Sequence, residues 1–283
     1  MVEIKDIRKN PKELIIIQNE CLLFEFTVTG EIRRMVAKGI EFKSVLDTKT
    51  NQERNRICIS VYDLFYHQLD WYDLVGSWSP SRLYCSEDSL QWQGNYKDVD
   101  YLVTFRLCNN IWFWTIQLSA KNKLIEISQL QHLNLTGDNT KDCLFEEHYF
   151  VKSNEACVTI NLGRKSKDDK ENVYIQQGII DDIKVDYCKE TKEKYLSESE
   201  TYWQNKKENL LKHNKVDIYK DLNVIKLQTE DIQVNDKIEL AFYGVCSECL
   251  NEAEPTFSTM NKVKAVYHSL NPIKLEKEVI LDF

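Results

Sequence analysis

The chain has 283 residues, enough for one large domain or two ordinary ones. Lysine and arginine number 37 against 45 aspartates and glutamates, a net charge of −8 with no polybasic run, which argues against a protein that binds nucleic acid by neutralising phosphates. Hydrophobic residues make up 42% and charged residues 29%, the balance of a chain that buries a core and not of a disordered one.

The N-terminal stretch has only the short apolar run Leu14 to Ile17, and no later segment approaches the ~18 consecutive apolar residues of a membrane span. The expectation is a cytoplasmic chain with neither export signal nor membrane contact. From there the sequence alternates with period two, the mark of strands with one buried face. Strands are expected at Cys21–Thr29, Glu31–Val36, Phe42–Leu46, Ile57–Val61, Leu83–Cys85 and Leu90–Gln93. The clearest pair is Tyr101 to Leu107 followed by Trp112 to Leu118. Tyr101, Val103, Phe105 and Leu107 share one face, as do Trp112, Trp114, Ile116 and Leu118, and the short link around Asn109 and Asn110 suits a hairpin. These aromatics read as core. Further strands are expected at Leu124–Leu135, Cys157–Leu162, Val173–Gln177, Lys184–Tyr187, Ile218–Gln228 and Lys237–Val245.

Two segments read differently. Thr191 to His213 is dense in Lys and Glu with a few embedded aromatics, and fits either a solvated helix or an ordered crossover. From Glu254 to Ser269, Pro255 suits a first turn and Phe257, Met260, Val263, Val266 and Tyr267 form one apolar stripe, so this helix should dock on a sheet. The tail from Asn271 to Phe283 reads as an extended segment leaving the domain, giving a sandwich domain over 1–270 and a tail or linker over 271–283. Many short strands and few helices define an all-β fold, a large two-sheet antiparallel sandwich with one or two peripheral helices. Eight glycines and four prolines are few for such a fold, so Asn, Asp and Lys are expected at many loop tips.

Motifs for standard catalysis are missing. There is no Gly-x-Ser-x-Gly elbow, His-Glu-x-x-His, P-loop or dinucleotide fingerprint, and no cofactor is expected. The nine cysteines are scattered and odd in number, which reads as reduced thiols, and Cys246-Ser-Glu-Cys249 lacks two further ligands for a zinc site. His67, Asp70 and Asp73 are spaced like one stripe of a helix, but a loop of solvated carboxylates explains them without a metal. Carbohydrate sites combine aromatic faces with side chains that make several hydrogen bonds at once. The stretch Tyr62 to Tyr84 has this composition, with Trp71, Tyr72, Trp78, Gln68, Asp70, Asp73 and Arg82. Recognition of sugar and closure of one end of the sandwich both fit it.

The run from Gly76 to Tyr84 (GSWSPSRLY), then Trp92-Gln-Gly94, Tyr101 to Phe105, Trp112-Phe-Trp114 and a strand ending Leu130 to Leu135, resembles the N-terminal sandwich of the inverting β-glucan phosphorylases of glycoside hydrolase family 94. Leu227 to Glu230, Phe242-Tyr-Gly244 and a helix from Pro255 extend the similarity to roughly residues 20–270. Within that family the chain is most similar to the 1,2-β-oligoglucan phosphorylases and the cyclic β-1,2-glucan synthases. The resemblance implies a galactose-mutarotase-like supersandwich whose catalytic (α/α)₆ barrel lies outside this chain, and no catalytic residue here. His132 stands where the family tends to have an acid. The resemblance further implies a β-linked glucan or oligosaccharide as ligand, and a homodimer or a separate catalytic chain as protein partner. Sugar contacts are placed on Trp71, Trp78, Arg82, Gln131 and His132. A mutarotase-like activity within the sandwich is the alternative, with His132 or His148 and Glu146 or Glu147 as acid and base.

Overall fold

In the computed structural model, the structure describes residues 2–4, 15–37, 39–44, 55–76, 79–86, 88–135, 143–152, 155–164, 172–181, 185–190, 224–247, 257–270 and 277–278. These form two antiparallel sheets and one helix. The eleven-stranded sheet comprises β1 (Val2–Ile4), β2 (Ile15–Gln18), β3 (Leu22–Phe26), β4 (Ile32–Ala37), β5 (Ile40–Ser44), β6 (Arg56–Asp63), β7 (Gln68–Val75), β12 (Lys123–Leu135), β16 (Val185–Glu190), β17 (Val224–Thr229) and β18 (Ile232–Val234). The nine-stranded sheet comprises β8 (Arg82–Cys85), β9 (Ser89–Tyr96), β10 (Val99–Cys108), β11 (Ile111–Ser119), β13 (Cys143–Lys152), β14 (Glu155–Arg164), β15 (Asn172–Ile179), β19 (Lys237–Ser247) and β20 (Lys277–Glu278). The expected all-β sandwich is what the chain forms. Helix α1 (Phe257–Ser269) matches the expected C-terminal helix, whereas Thr191 to His213 lies outside the described residues. No helix among the described residues is long and apolar enough to cross a membrane.

The long strand β12 organises the first sheet by changing partner along its length. Its first part, Lys123 to Leu130, pairs with β6, and its end, Leu133 to Leu135, pairs with β5. Its other edge takes β18 and then β17. In the second sheet β10 and β11 form the expected hairpin, with Cys108 opposite Ile111 and Asn109 and Asn110 at the tip. Asn109 has φ 54°, and His67, Lys97 and Asn122 also take the left-handed backbone at turns. Polar residues thus supply the turns that glycine commonly supplies.

The core is an aromatic layer between the sheets. Phe24 and Phe26 from β3 meet Phe105, Trp112 and Trp114 at ring-centroid distances of 4.8–5.7 Å, and Trp92 closes on Phe26 at 5.7 Å. All are fully buried or nearly so. The Trp92 indole donates to the Val28 carbonyl at 2.9 Å, which settles its polar end. Strand β11 is buried on both faces. Trp112, Trp114, Ile116 and Leu118 face the aromatic layer, while Ile111 and Phe113 join Ala241, Tyr243, Val245 and Val263 of α1 in a second cluster. The tail returns to the sandwich, where Lys277 and Glu278 of β20 pair with Cys85 and Tyr84 of β8.

Large rings in this layer lie on glycines. A Cβ on Gly244 would stand 2.0 Å from the buried Trp112 ring, where nothing can yield. Gly244→Ala is expected to cost about 2–3 kcal/mol through overpacking. Gly39→Ala, at an open turn with φ +78°, should cost only about 1 kcal/mol of backbone strain. Urea unfolding of the two variants beside the wild type checks this order.

Candidate functional site

The sandwich is open at one end, where hairpins of both sheets meet around a cleft of about 360 Å³. From the eleven-stranded sheet come Val61 and Asp63 of β6, Tyr66 of the β6–β7 turn, Gln68, Asp70 and Tyr72 of β7, and Lys123 of β12. From the nine-stranded sheet come Tyr96 at the end of β9, Lys97 and Asp98 of the β9–β10 turn, and Val99 at the start of β10. The register explains the selection. Asp63 pairs with Gln68, Val61 with Asp70 and Ile59 with Tyr72, so these side chains share one face.

The β6–β7 tip is shaped by Asp63. Its Oδ1 accepts the backbone N–H groups of Phe65 at 2.8 Å and Tyr66 at 2.9 Å, and its Oδ2 accepts from the Lys123 ammonium. The Lys123 bond, followed by the Tyr66 N–H, holds the Asp63 carboxyl down at about 2. The same pairing raises Lys123 above the ordinary lysine value. Lys123 also lies 3.6 Å from Asp98, and Lys97 lies 2.5 Å from Asp70, so both ammonium groups tie one sheet to the other. Hydrogen bonding to Asp70 raises Lys97 in turn. Gln68 adds a 3.2 Å bond to the other oxygen of Asp70.

Tyr72 forms the floor of the cleft. Its ring lies 3.9 Å from that of Tyr96 at an interplanar angle of 31°, an aromatic contact made across the two sheets. The residue is 7% exposed, and its hydroxyl has no hydrogen-bond partner among the described residues. Burial pushes the phenol far above the usual tyrosine range, so it is a neutral donor at every physiological pH. A buried hydroxyl without a partner costs about 1–3 kcal/mol, and a ligand that accepts its proton recovers much of this. At the rim Phe65 is 78% exposed and Tyr66 72%.

The residues expected from the sequence are dispersed. Trp71 is half-buried and paired with Ser60, on the opposite face of the sheet from the cleft. Arg82 is exposed on β8 opposite Gln93, in the other sheet. Gln131 and His132 pair with Ile225 and Val224, toward the far end of β12, and nothing is described of their side chains. Trp78 lies outside the described residues. Glu146, Glu147 and His148 pair with Asn161, Ile160 and Thr159 on the edge strand β13, away from the sheet that carries His132. His67 ends a hairpin turn with its Nδ1 2.9 Å from the Tyr62 hydroxyl, while Asp70 and Asp73 belong to a strand and not to a helical stripe. Asp73 is buried 3.7 Å from Arg56. Among the described residues no three His, Cys, Asp or Glu side chains gather as a metal site, and Cys249 lies outside them.

Sequence reasoning therefore found Gln68, Asp70 and Tyr72 as part of an aromatic-polar stretch, but missed Tyr96, Lys97, Asp98 and Lys123. The signal for the first three was present, since Lys97 and Asp98 form a glycine-free turn between two alternating strands.

Fold and cleft together define a large antiparallel β-sandwich with a cleft at one end. Residues 25–244 match the SOGP N-terminal domain model, and the chain belongs to that family. No curated protein sequence matches the chain. Among solved structures it is similar to a polysaccharide lyase, at 9% identity and a TM-score of 0.50, over 85% of this chain and 33% of the lyase. It is also similar to the 4-α-glucanotransferase of Thermococcus litoralis, at 10% identity and a TM-score of 0.46, over 87% of this chain and 39% of that one. An aldose 1-epimerase homologue of Escherichia coli K12 is 5% identical at a TM-score of 0.46, with 87% of this chain and 99% of that one covered. The chain thus spans about a third of the length of the lyase.

The folded pKa of Asp63 lies below the ~3.9 of an unfolded aspartate. The pair with Lys123 therefore stabilises the hairpin above about pH 4, and that contribution is lost as the pH falls toward 2. An NMR titration of the side-chain carboxyl should give a midpoint near 2 for Asp63. In Lys123→Met the midpoint should rise toward ~3.9.

Proposed function

We propose that this chain is a non-catalytic carbohydrate-binding module that serves a separate catalytic domain, related to the N-terminal sandwich of the β-glucan phosphorylases. The observation that carries this reading is the family match over residues 25–244, which takes in most strands of both sheets. The cleft supports it, because aromatic rings beside carboxylates, an amide and ammonium groups form a surface suited to a hydroxylated ligand. The module binds a β-linked glucan and helps to present it, while bond breaking belongs to a domain outside this sequence. Its other role is assembly, either with a second copy or with a separate catalytic chain.

Calorimetric titration of the purified chain with a panel of β-linked glucans, β-1,2 oligomers foremost, tests this while the same mixtures are assayed for released glucose and sugar phosphate. Binding without product is the expected outcome, together with a rise in melting temperature that grows with ligand concentration. Product formed by this chain alone overturns the non-catalytic reading.

A further inference from the structure

We propose that the cleft between the two sheets holds the end of a neutral oligosaccharide, with Tyr72 as its buried hydrogen-bond donor and Tyr96 as its aromatic wall. The inference rests on the carbohydrate reading above and assigns it to a particular place. Size is the first argument: about 360 Å³ lies at the small end of the ~300–1,000 Å³ of small-ligand sites, which suits a short saccharide end and not a polymer laid along a groove.

Charge selects among saccharides. Asp63, Asp70 and Asp98 face the cleft against Lys97 and Lys123, and both ammonium groups already meet carboxylates. The net charge is negative and no ammonium group stands apart from an acid, so a phosphate or a uronic acid would enter against repulsion. A sugar hydroxyl meets the opposite situation. Each carboxylate keeps lone pairs beyond those its lysine occupies, and each ammonium keeps further protons.

The Tyr72 hydroxyl is an independent pointer to a ligand. The Tyr72 residue is more than nine-tenths buried and belongs to the lining, and its hydroxyl has no partner among the described residues, although neighbouring Tyr101 bonds to Ser81 at 2.9 Å. A ring or hydroxyl oxygen of a sugar resting beside Tyr96 would accept a hydrogen bond from Tyr72. The aromatic pair then supplies apolar contact and direction together, whereas the exposed Phe65 stands outside the lining.

The test is titration of the full chain with the β-1,2-linked glucose disaccharide and, separately, with glucose 1-phosphate, in the wild type, Tyr72→Phe, Tyr96→Ala and Phe65→Ala. Melting curves establish that each variant is folded. Tyr72→Phe removes one oxygen and should weaken disaccharide binding about fivefold to tenfold. Tyr96→Ala should weaken it more than tenfold, Phe65→Ala should leave it unchanged, and glucose 1-phosphate should bind less tightly than the disaccharide. Undiminished disaccharide binding in folded Tyr72→Phe and Tyr96→Ala overturns the assignment while leaving the carbohydrate reading intact. Tighter binding of glucose 1-phosphate overturns the neutral-ligand selectivity. A wild type that binds no member of the β-glucan panel overturns both readings together.

Discussion

Everything in this fold depends on bringing Phe24 and Phe26 of one sheet against Trp92, Phe105, Trp112 and Trp114 of the other. Two sheets packed face to face leave roughly 10 Å between them, and rings of this size fill that gap only if they interlock. They do so edge to face, as between Phe26 and Trp114 at 84°, and by lying over positions without a Cβ, as Trp112 does over Gly244. The consequence reaches beyond stability. A cavity beside Trp114 and Gln129 measures only about 10 Å³, room for about one water, so this part of the interior holds no sugar. Ligand chemistry is pushed to where the rings give out.

The end that carries the cleft shows what replaces them. Beyond Tyr72 the interior layer gives way to ion pairs: Lys97 to Asp70 and Lys123 to Asp98 join the two sheets, while Lys123 to Asp63 ties β12 to the tip of β6 within one of them. Of these, the partly exposed Lys97–Asp70 pair belongs to a class that contributes little to stability. The effect of the pairs is geometric, because they set the β6–β7 and β9–β10 turns at a fixed separation. The main-chain bond from Leu64 N–H to the Asn122 carbonyl at 3.3 Å adds a third link between turns.

Much of the fold was legible because one-sided burial writes itself as period two. Strands β10 and β12 and much of β3 and β19 fell near their expected positions, and the hairpin at Asn109 and Asn110 followed from its spacing. β7 was harder to read. Its run Asp70-Trp71-Tyr72-Asp73 shows no alternation, since Asp73 is buried beside Arg56 while Trp71 on the same face stays half-exposed. The three-residue spacing of His67, Asp70 and Asp73 arose from a turn followed by a strand, and the expected loop of solvated carboxylates fails because Asp70 and Asp73 lie on β7 and Asp73 is buried. The cleft was illegible for a different reason. Its members come from positions 61–72, 96–99 and 123, and only the pairing of β6 with β12 and the approach of the β9–β10 turn bring them together.

Pairing of charge also determines what such a cleft can recognise. A lone aspartate at the surface reorients freely and must lose that freedom for each ligand it binds. Asp63 is held at both oxygens, by two backbone N–H groups and by Lys123, and Asp70 likewise by Gln68 and Lys97. Acceptors held in this way keep their remaining lone pairs in set directions, so a hydroxyl-rich ligand meets groups that do not have to move. Pairing each ammonium with a carboxylate also cancels the positive charge that would attract an anion. The residues that hold the turns at the mouth of the cleft are thus the same ones that the proposed binding of an uncharged ligand would use.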